Sequence, residues 1–211
     1  MANEVLIICR HGKPALSRKV RLNWLGYIDW WKKYDEGGLD KKQKIPKRVT
    51  KLAQEADIVI SSTLRRAVES AELAAGRPPD EQWPELVEAA LPPPNFGWYM
   101  TGPRRWGTIS RISWWLGFSG GQETRREAEK RAERTADRLT QTASDGKLVF
   151  VAAHGWYNRM LKQPLRRRGW TLVASFGDRH WSHRRYERLS DKLAKKRGEK
   201  VSDIDRVMVE E

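Results

Sequence analysis

Val5-Leu6-Ile7-Ile8-Cys9-Arg10-His11-Gly12 is a short apolar run, rich in β-branched residues, that stops on a polar triplet. A continuous apolar run of this length predicts a strand buried on both faces, as in a parallel sheet covered by helices. Two more runs repeat the pattern. Ile58-Val59-Ile60 ends on Ser61-Ser62, and Leu148-Val149-Phe150-Val151-Ala152 stops just before His154-Gly155. Trp170 to Phe176 alternates larger with smaller or polar residues, which suits an edge strand, and Glu85-Leu86-Val87 is a further short strand candidate. Helical spacing joins Leu64, Ala67, Val68, Ala71 and Ala74 after Ser62 as the cap, and Ala128, Ala132, Ala136, Leu139 and Ala143 with a charged outer face. Pro46 opens a helix to about Glu55, and another runs from Gly155 to Pro164. Trp181 to about Lys196 reads as a basic helix, with a fraying end after it. The expectation is an α/β three-layer sandwich. Its central sheet is mostly parallel, with helices on both faces and one antiparallel edge strand.

The chain has 211 residues, of which 39% are hydrophobic, enough for a core without disulfide staples. It reads as a single domain over 1–211, with a Trp-, Pro- and Gly-rich insertion at about 89–121 that caps one end of the sheet. No apolar stretch reaches membrane-spanning length, and the N-terminus has no signal-peptide pattern. The single cysteine excludes an internal disulfide and a thiolate metal cage, so a cytoplasmic location is expected. Lys and Arg number 41 against 27 Asp and Glu, a net charge of +14 that favours anionic partners. The basic runs Arg166-Arg167-Arg168, Arg184-Arg185 and Lys195-Lys196-Arg197 would suit nucleic acid. The eleven tryptophans fit packed helix faces at least as well as a base-stacking surface.

In a parallel α/β sheet, ligands bind beyond the carboxyl ends of the strands. The three buried runs therefore bring Arg10, His11, one arginine of the Arg65-Arg66 pair, and His154 to one rim. Guanidinium forks and helix N-termini suit a phosphate. A cysteine phosphatase needs an arginine six positions after its cysteine; six after Cys9 stands Ala15. No Walker loop or dinucleotide glycine fingerprint is present. His180 and His183 form a His-x-x-His pair with no third ligand nearby, so no metal site is expected.

Arg10-His11-Gly12 directly after the first strand resembles the signature of the histidine phosphatase superfamily, the phosphoglycerate-mutase-like fold. Ser62-Thr63-Leu64-Arg65-Arg66-Ala67-Val68-Glu69-Ser70-Ala71 is similar to the family's Ser-x-Leu-x-Arg-Ala-x-x-Thr-Ala element, and its register selects Arg66. His154-Gly155 resembles the second histidine, and Glu88 in Val87-Glu88-Ala89-Ala90 resembles the acidic residue. The resemblance runs in family order from residue 5 to about 190. It implies a phosphohistidine on His11, phosphate binding by Arg10, Arg66 and His154, and proton transfer by Glu88, without metal or cofactor. Glu85 and Glu123 are the other carboxylates that could serve as the acid.

The mutase-type acidic stretch is absent after Glu88, which favours hydrolysis of a phosphorylated small molecule or phosphoprotein. Lys13-Pro14 stands where many family members carry Glu or Gln, a departure on the substrate side of the pocket. A mutase-type phosphotransferase and a non-catalytic phosphate- or nucleic-acid-binding protein are the alternatives. Nucleic acid is less favoured because a binding module needs no nucleophile and acid together.

Overall fold

The Val5–Cys9 run lies inside β1 (Glu4–Arg10), a central strand, in a computed structural model that describes residues 4–188. Alternate side chains of β1 enter two different cores, which is why the run is apolar throughout. Leu6 and Ile8 pack with Ala132, Ala136, Leu139 and Tyr157 on one face. Val5, Ile7 and Cys9 pack with Val49, Ala53, Ala71 and Ala74 on the other. The residues between β1 and the next strand form α1 (Trp24–Glu36) and α2 (Lys47–Gln54). Then come β2 (Ile58–Ser62), α3 (Arg65–Ala75) and β3 (Glu81–Trp83). After α4 (Pro103–Trp115) and α5 (Arg125–Thr142), the chain forms β4 (Leu148–Ala153), α6 (Gly155–Met160), α7 (Lys162–Arg167), β5 (Thr171–Phe176) and β6 (His183–Arg188).

The six strands lie in the order β3-β2-β4-β1-β6-β5. The first four are parallel; β6 runs antiparallel to both β1 and β5. The sheet is therefore mixed, mostly parallel and covered by helices on both faces, as the sequence implied. Its antiparallel part differs in detail. β5 is the edge strand, but the strand that reverses direction is β6, within the segment expected to be helical. The local composition of His183–Arg188 favours helix, yet hydrogen bonding to β1 on one side and β5 on the other overrides it. Its charges are matched by Arg184–Asp178, Arg185–Glu187 and Arg188–Glu4 pairs. The remainder of that expected helix, the run Lys195-Lys196-Arg197 and the fraying end lie outside the described residues.

Three other boundaries differ. Glu85-Leu86-Val87 is not a strand: Pro84–Leu86 is one turn of 3-10 helix, and the strand is the preceding Glu81–Trp83. Pro84 has no N–H for a ladder and starts the turn instead. The helix after His154 ends at Met160, and Pro164 sits in the first turn of α7, where a missing N–H costs little. α3 starts from Leu64 rather than from Ser62, whose hydroxyl accepts from the Leu64 N–H at 3.3 Å. The expected cap region, 89–121, is partly helical through α4. α4 packs beside α1, and the Leu22–Thr101 bridge ties their starts together.

Candidate active site

β1, β2 and β4 are neighbours, so their carboxyl ends bring Arg10, His11, Ser62 and His154 together. α3 adds Arg66 from its first turn. Both motif glycines have steric reasons. A side chain at Gly155 would meet the Arg10 guanidinium at 2.9 Å, and one at Gly12 would meet the Trp181 ring and Gln43 at 2.6 Å.

His11 is buried, with Nδ1 2.7 Å from the Gly12 carbonyl oxygen. A carbonyl only accepts, so Nδ1 carries the proton and Nε2 keeps its lone pair. Burial first, then the charges of His154, Arg66 and Arg10, hold this imidazole well below its ordinary pKa. His154 stands behind it, fully buried, with ring centroids 5.2 Å apart. The Arg66 Nη2 is 3.3 Å from His154 Nδ1. A guanidinium only donates, so Nδ1 accepts, and Nε2–H donates to Ser62 Oγ at 2.9 Å. Burial, then Arg66, Arg10 and Arg131, keep His154 neutral as well.

These neutral histidines predict a pH effect on stability. Both have folded pKa values below the ordinary 6.5. Their stability contribution is intact above that value and is lost as pH falls, because the unfolded chain takes up protons first. The thermal midpoint should therefore drop between pH 7 and pH 5, and less steeply in His154→Gln. A midpoint flat across that window would contradict the assignment.

Arg66 is 1% exposed; its Nη1 donates to the Tyr34 carbonyl at 2.9 Å and pairs with Asp35 at 3.0 Å. The adjacent Arg65 points outward, its side chain 67% exposed, and pairs with Glu69. The helix thus turns one arginine of the pair inward and the other to solvent. Arg10 Nη1 donates to the Asp178 carbonyl at 3.0 Å. The Nε donors of both Arg10 and Arg66 are buried without a partner. A tetrahedral oxyanion has the acceptors that such donors require.

Glu88 lines the same cavity. Its Oε2 accepts from the Trp156 N–H at 3.1 Å and its Oε1 from the Tyr157 N–H at 2.8 Å, at the start of α6. Both carboxylate oxygens are thus held by backbone donors, which fixes the orientation of the side chain beside the cavity. Arg131 fixes the chain leading to Glu88, donating to the carbonyls of Glu85 and Val87 at 2.6 and 2.8 Å. The other two carboxylates are engaged elsewhere: Glu123 with Arg131 and Glu85 with Arg138. Neither lines the cavity, which measures about 350 Å³ and is bounded by Arg10, His11, Arg66 and Glu88, together with residues of α1 and α4.

The structure thus brings Arg10, His11, Arg66 and His154 into one cluster with Glu88 at its side, although His154 is set back behind Arg66 and does not itself line the cavity. Two roles have no local signal in the sequence: Ser62, expected there as a helix cap, orients His154, and Asp35 anchors Arg66 across a long chain separation. His180 and His183 are not a pair: His183 stacks on Phe176, whereas the His180 ring lies 5.7 Å from that of His11. Among the described residues no group of three or more His, Cys, Asp or Glu is placed to hold a metal ion, and no helix is long and apolar enough to cross a membrane.

A mixed α/β sheet with two buried histidines and two arginines at its carboxyl rim defines a class of phosphate-handling proteins. The family model of the histidine phosphatase superfamily (branch 1) matches residues 6–176, and the chain belongs to that superfamily. No curated protein matches the sequence. Among solved structures, the product of open reading frame Rv3214 from Mycobacterium tuberculosis is 20% identical, with a TM-score of 0.50 over 75% of this chain and 77% of the other. Phosphoserine phosphatase from Entamoeba histolytica is 16% identical, with a TM-score of 0.47 over 85% and 93%. The ecdysone phosphate phosphatase from Bombix mori is 15% identical, with a TM-score of 0.47 over 78% of each chain.

Proposed function

We propose that this chain is a metal-independent phosphomonoesterase that works through a phosphohistidine on His11. The observation that carries the reading is the pairing of a neutral His11, free at Nε2, with buried arginines whose Nε donors lack partners. Arg10 and Arg66 take the charge of the phosphoryl oxygens, the part a metal ion plays in other phosphoryl-transfer sites. The His11 Nε2 lone pair forms the N–P bond as the P–O bond to the leaving group breaks. Glu88, protonated while a phosphate dianion stands beside it, gives its proton to the leaving oxygen. A water then attacks phosphorus, Glu88 takes that water's proton, and the N–P bond returns its electrons to His11. Inorganic phosphate leaves, and both residues regain their starting states.

In this reading His154 serves the same anion from behind Arg66. Its Nδ1 accepts from Arg66 Nη2 and its Nε2–H is held by Ser62, so the ring keeps the Arg66 guanidinium aimed at the phosphoryl oxygens. The buried free Cys9 is compatible with a reducing compartment such as the cytoplasm.

The arginine pair supplies the test. Arg66→Ala should weaken inhibition by inorganic phosphate and slow release of phosphate from p-nitrophenyl phosphate by about 10²-fold or more. Arg65→Ala, on the solvent side of the same helix, should change either measurement less than about twofold. Equal losses in the two variants would place the anion elsewhere.

A further inference from the structure

The charge around the cavity exceeds what one phosphoryl group needs. Seven arginines and only two carboxylates, Glu88 and Asp178, line it. Asp178 is taken up by Arg159 and Arg184, and Arg10 and Arg66 already suffice for a phosphate dianion. Arg18, Arg104 and Arg111 remain, and among the described residues none of them has a carboxylate partner. Arg18 donates to the Tyr34 hydroxyl at 2.8 Å, and Arg111 lies 5.7 Å over the Trp156 ring. On the neighbouring α5 the pattern is different: Arg125 meets Glu129, and Arg131 meets Glu123.

The position of these cations is locally unfavourable. α4 reads PRRWGTISRISWW, with no acidic residue at all, and Arg104 stands in its first turn, where the helix dipole disfavours positive charge. Arg104, Thr108 and Arg111 recur at helical spacing, so they form one face, which lines the cavity. The facing wall is aromatic. Tyr27, Trp30 and Tyr34 of α1 stack on one another with centroid separations of 5.9 and 5.0 Å. Tyr27 lines the cavity, and its hydroxyl is buried with no hydrogen-bond partner. Burial keeps that phenol protonated, so it is a donor awaiting an acceptor. The same positive field reaches His180, which burial and then Arg10, Arg18, Lys13 and Arg104 push down to about 4.

We propose that the cavity takes a small organic phosphate ester carrying a second anionic group, phosphate or carboxylate, held by Arg18, Arg104 and Arg111 with the Tyr27 hydroxyl, while the carbon spacer lies along the α1 aromatic wall. The inference rests on the phosphatase reading for the first phosphate. It adds a requirement that the phosphoryl site alone does not impose. A cavity volume of about 350 Å³ suits a small molecule rather than a folded phosphoprotein surface.

The test uses phosphonates, which cannot turn over. Titration calorimetry on the full chain compares benzylphosphonate with 4-(phosphonomethyl)benzoate and with para-xylylene bisphosphonate. The last two should bind about tenfold or more tightly than the first, the gain expected from charge-assisted hydrogen bonds in a partly buried site. Whichever of the two binds better identifies the second group as carboxylate or phosphate. The preference should vanish in the Arg104→Gln/Arg111→Gln double variant and persist in Arg105→Gln, one position along on the exposed side of α4. Equal affinities in the wild type overturn the proposal. So does a preference that survives in the double variant, or an acidic phosphopeptide that outcompetes both dianionic probes. If the preference is present but no ester is hydrolysed, the phosphatase reading falls and the second-anion site stands. If esters are hydrolysed without the preference, the reverse holds.

Discussion

His11→Ala is expected to lower turnover of p-nitrophenyl phosphate by about 10³-fold or more, because removing a nucleophile removes the covalent route itself. Rapid quenching of the wild-type protein should trap an acid-labile, base-stable phosphoryl adduct that the variant lacks. The substitution has a structural cost to be separated from the chemical one. The His11 Nδ1–H satisfies the buried Gly12 carbonyl, and leaving that acceptor bare costs about 1–3 kcal/mol. His11→Asn restores an N–H donor near that carbonyl without a nucleophile, so it should recover thermal stability and stay inactive. Turnover within about tenfold of wild type in either variant would rule out His11 as nucleophile.

Glu88→Gln should separate substrates by their leaving groups. An alkyl phosphate departs as a strongly basic alkoxide and needs a proton, whereas p-nitrophenolate departs without one. Positioned proton transfer is typically worth about 10²–10⁴-fold, so alkyl ester cleavage should slow by that factor while adduct formation from the aryl ester changes far less. The aryl ester should also build up phosphohistidine, because the variant lacks the base that activates water. The amide matches the carboxylate in size but not in hydrogen bonding. Glu88 accepts from the Trp156 and Tyr157 N–H groups with separate oxygens, and glutamine offers one acceptor where two are used. A loss of about 1–3 kcal/mol in stability should accompany the kinetic change. Equal slowing of both esters with no accumulation of adduct would reassign the acid. Glu85 and Glu123 are poor replacements, being held by Arg138 and Arg131.

Five runs of local pattern were enough to anticipate the framework. β1, β2 and β4 declare themselves because a strand buried on both faces must be apolar at every position, and Leu6, Ile7, Val59, Ile60, Val149 and Val151 are all fully buried. α3 and α5 show in the alanine spacing, since Ala67, Ala71, Ala74, Ala132 and Ala136 allow close approach to the sheet. The polar residues just after each run, Arg10-His11, Ser62 and His154, follow from the rule that strand ends carry the ligand site. α1 carries a weaker signal: Tyr27, Trp30, Trp31 and Tyr34 have helical spacing, but the helix is confirmed only by Asn23 capping its start, accepting from the Gly26 N–H at 2.9 Å.

By itself, the sequence determined the parallel half of the sheet and the identity of the cluster residues, because both depend on local periodicity and on motifs that sit at strand ends. The tertiary structure alone decided the rest. His183–Arg188 became a strand because β1 and β5 offered hydrogen bonds on both sides, a demand invisible to local composition. Arg66, which the motif register selects, is held inward by Asp35 and the Tyr34 carbonyl, partners that no local pattern shows. The protonation states of His11 and His154 come from burial and from arginines contributed by separate elements. Such contacts join residues far apart in the chain, and their energies exist only once the chain has folded around them.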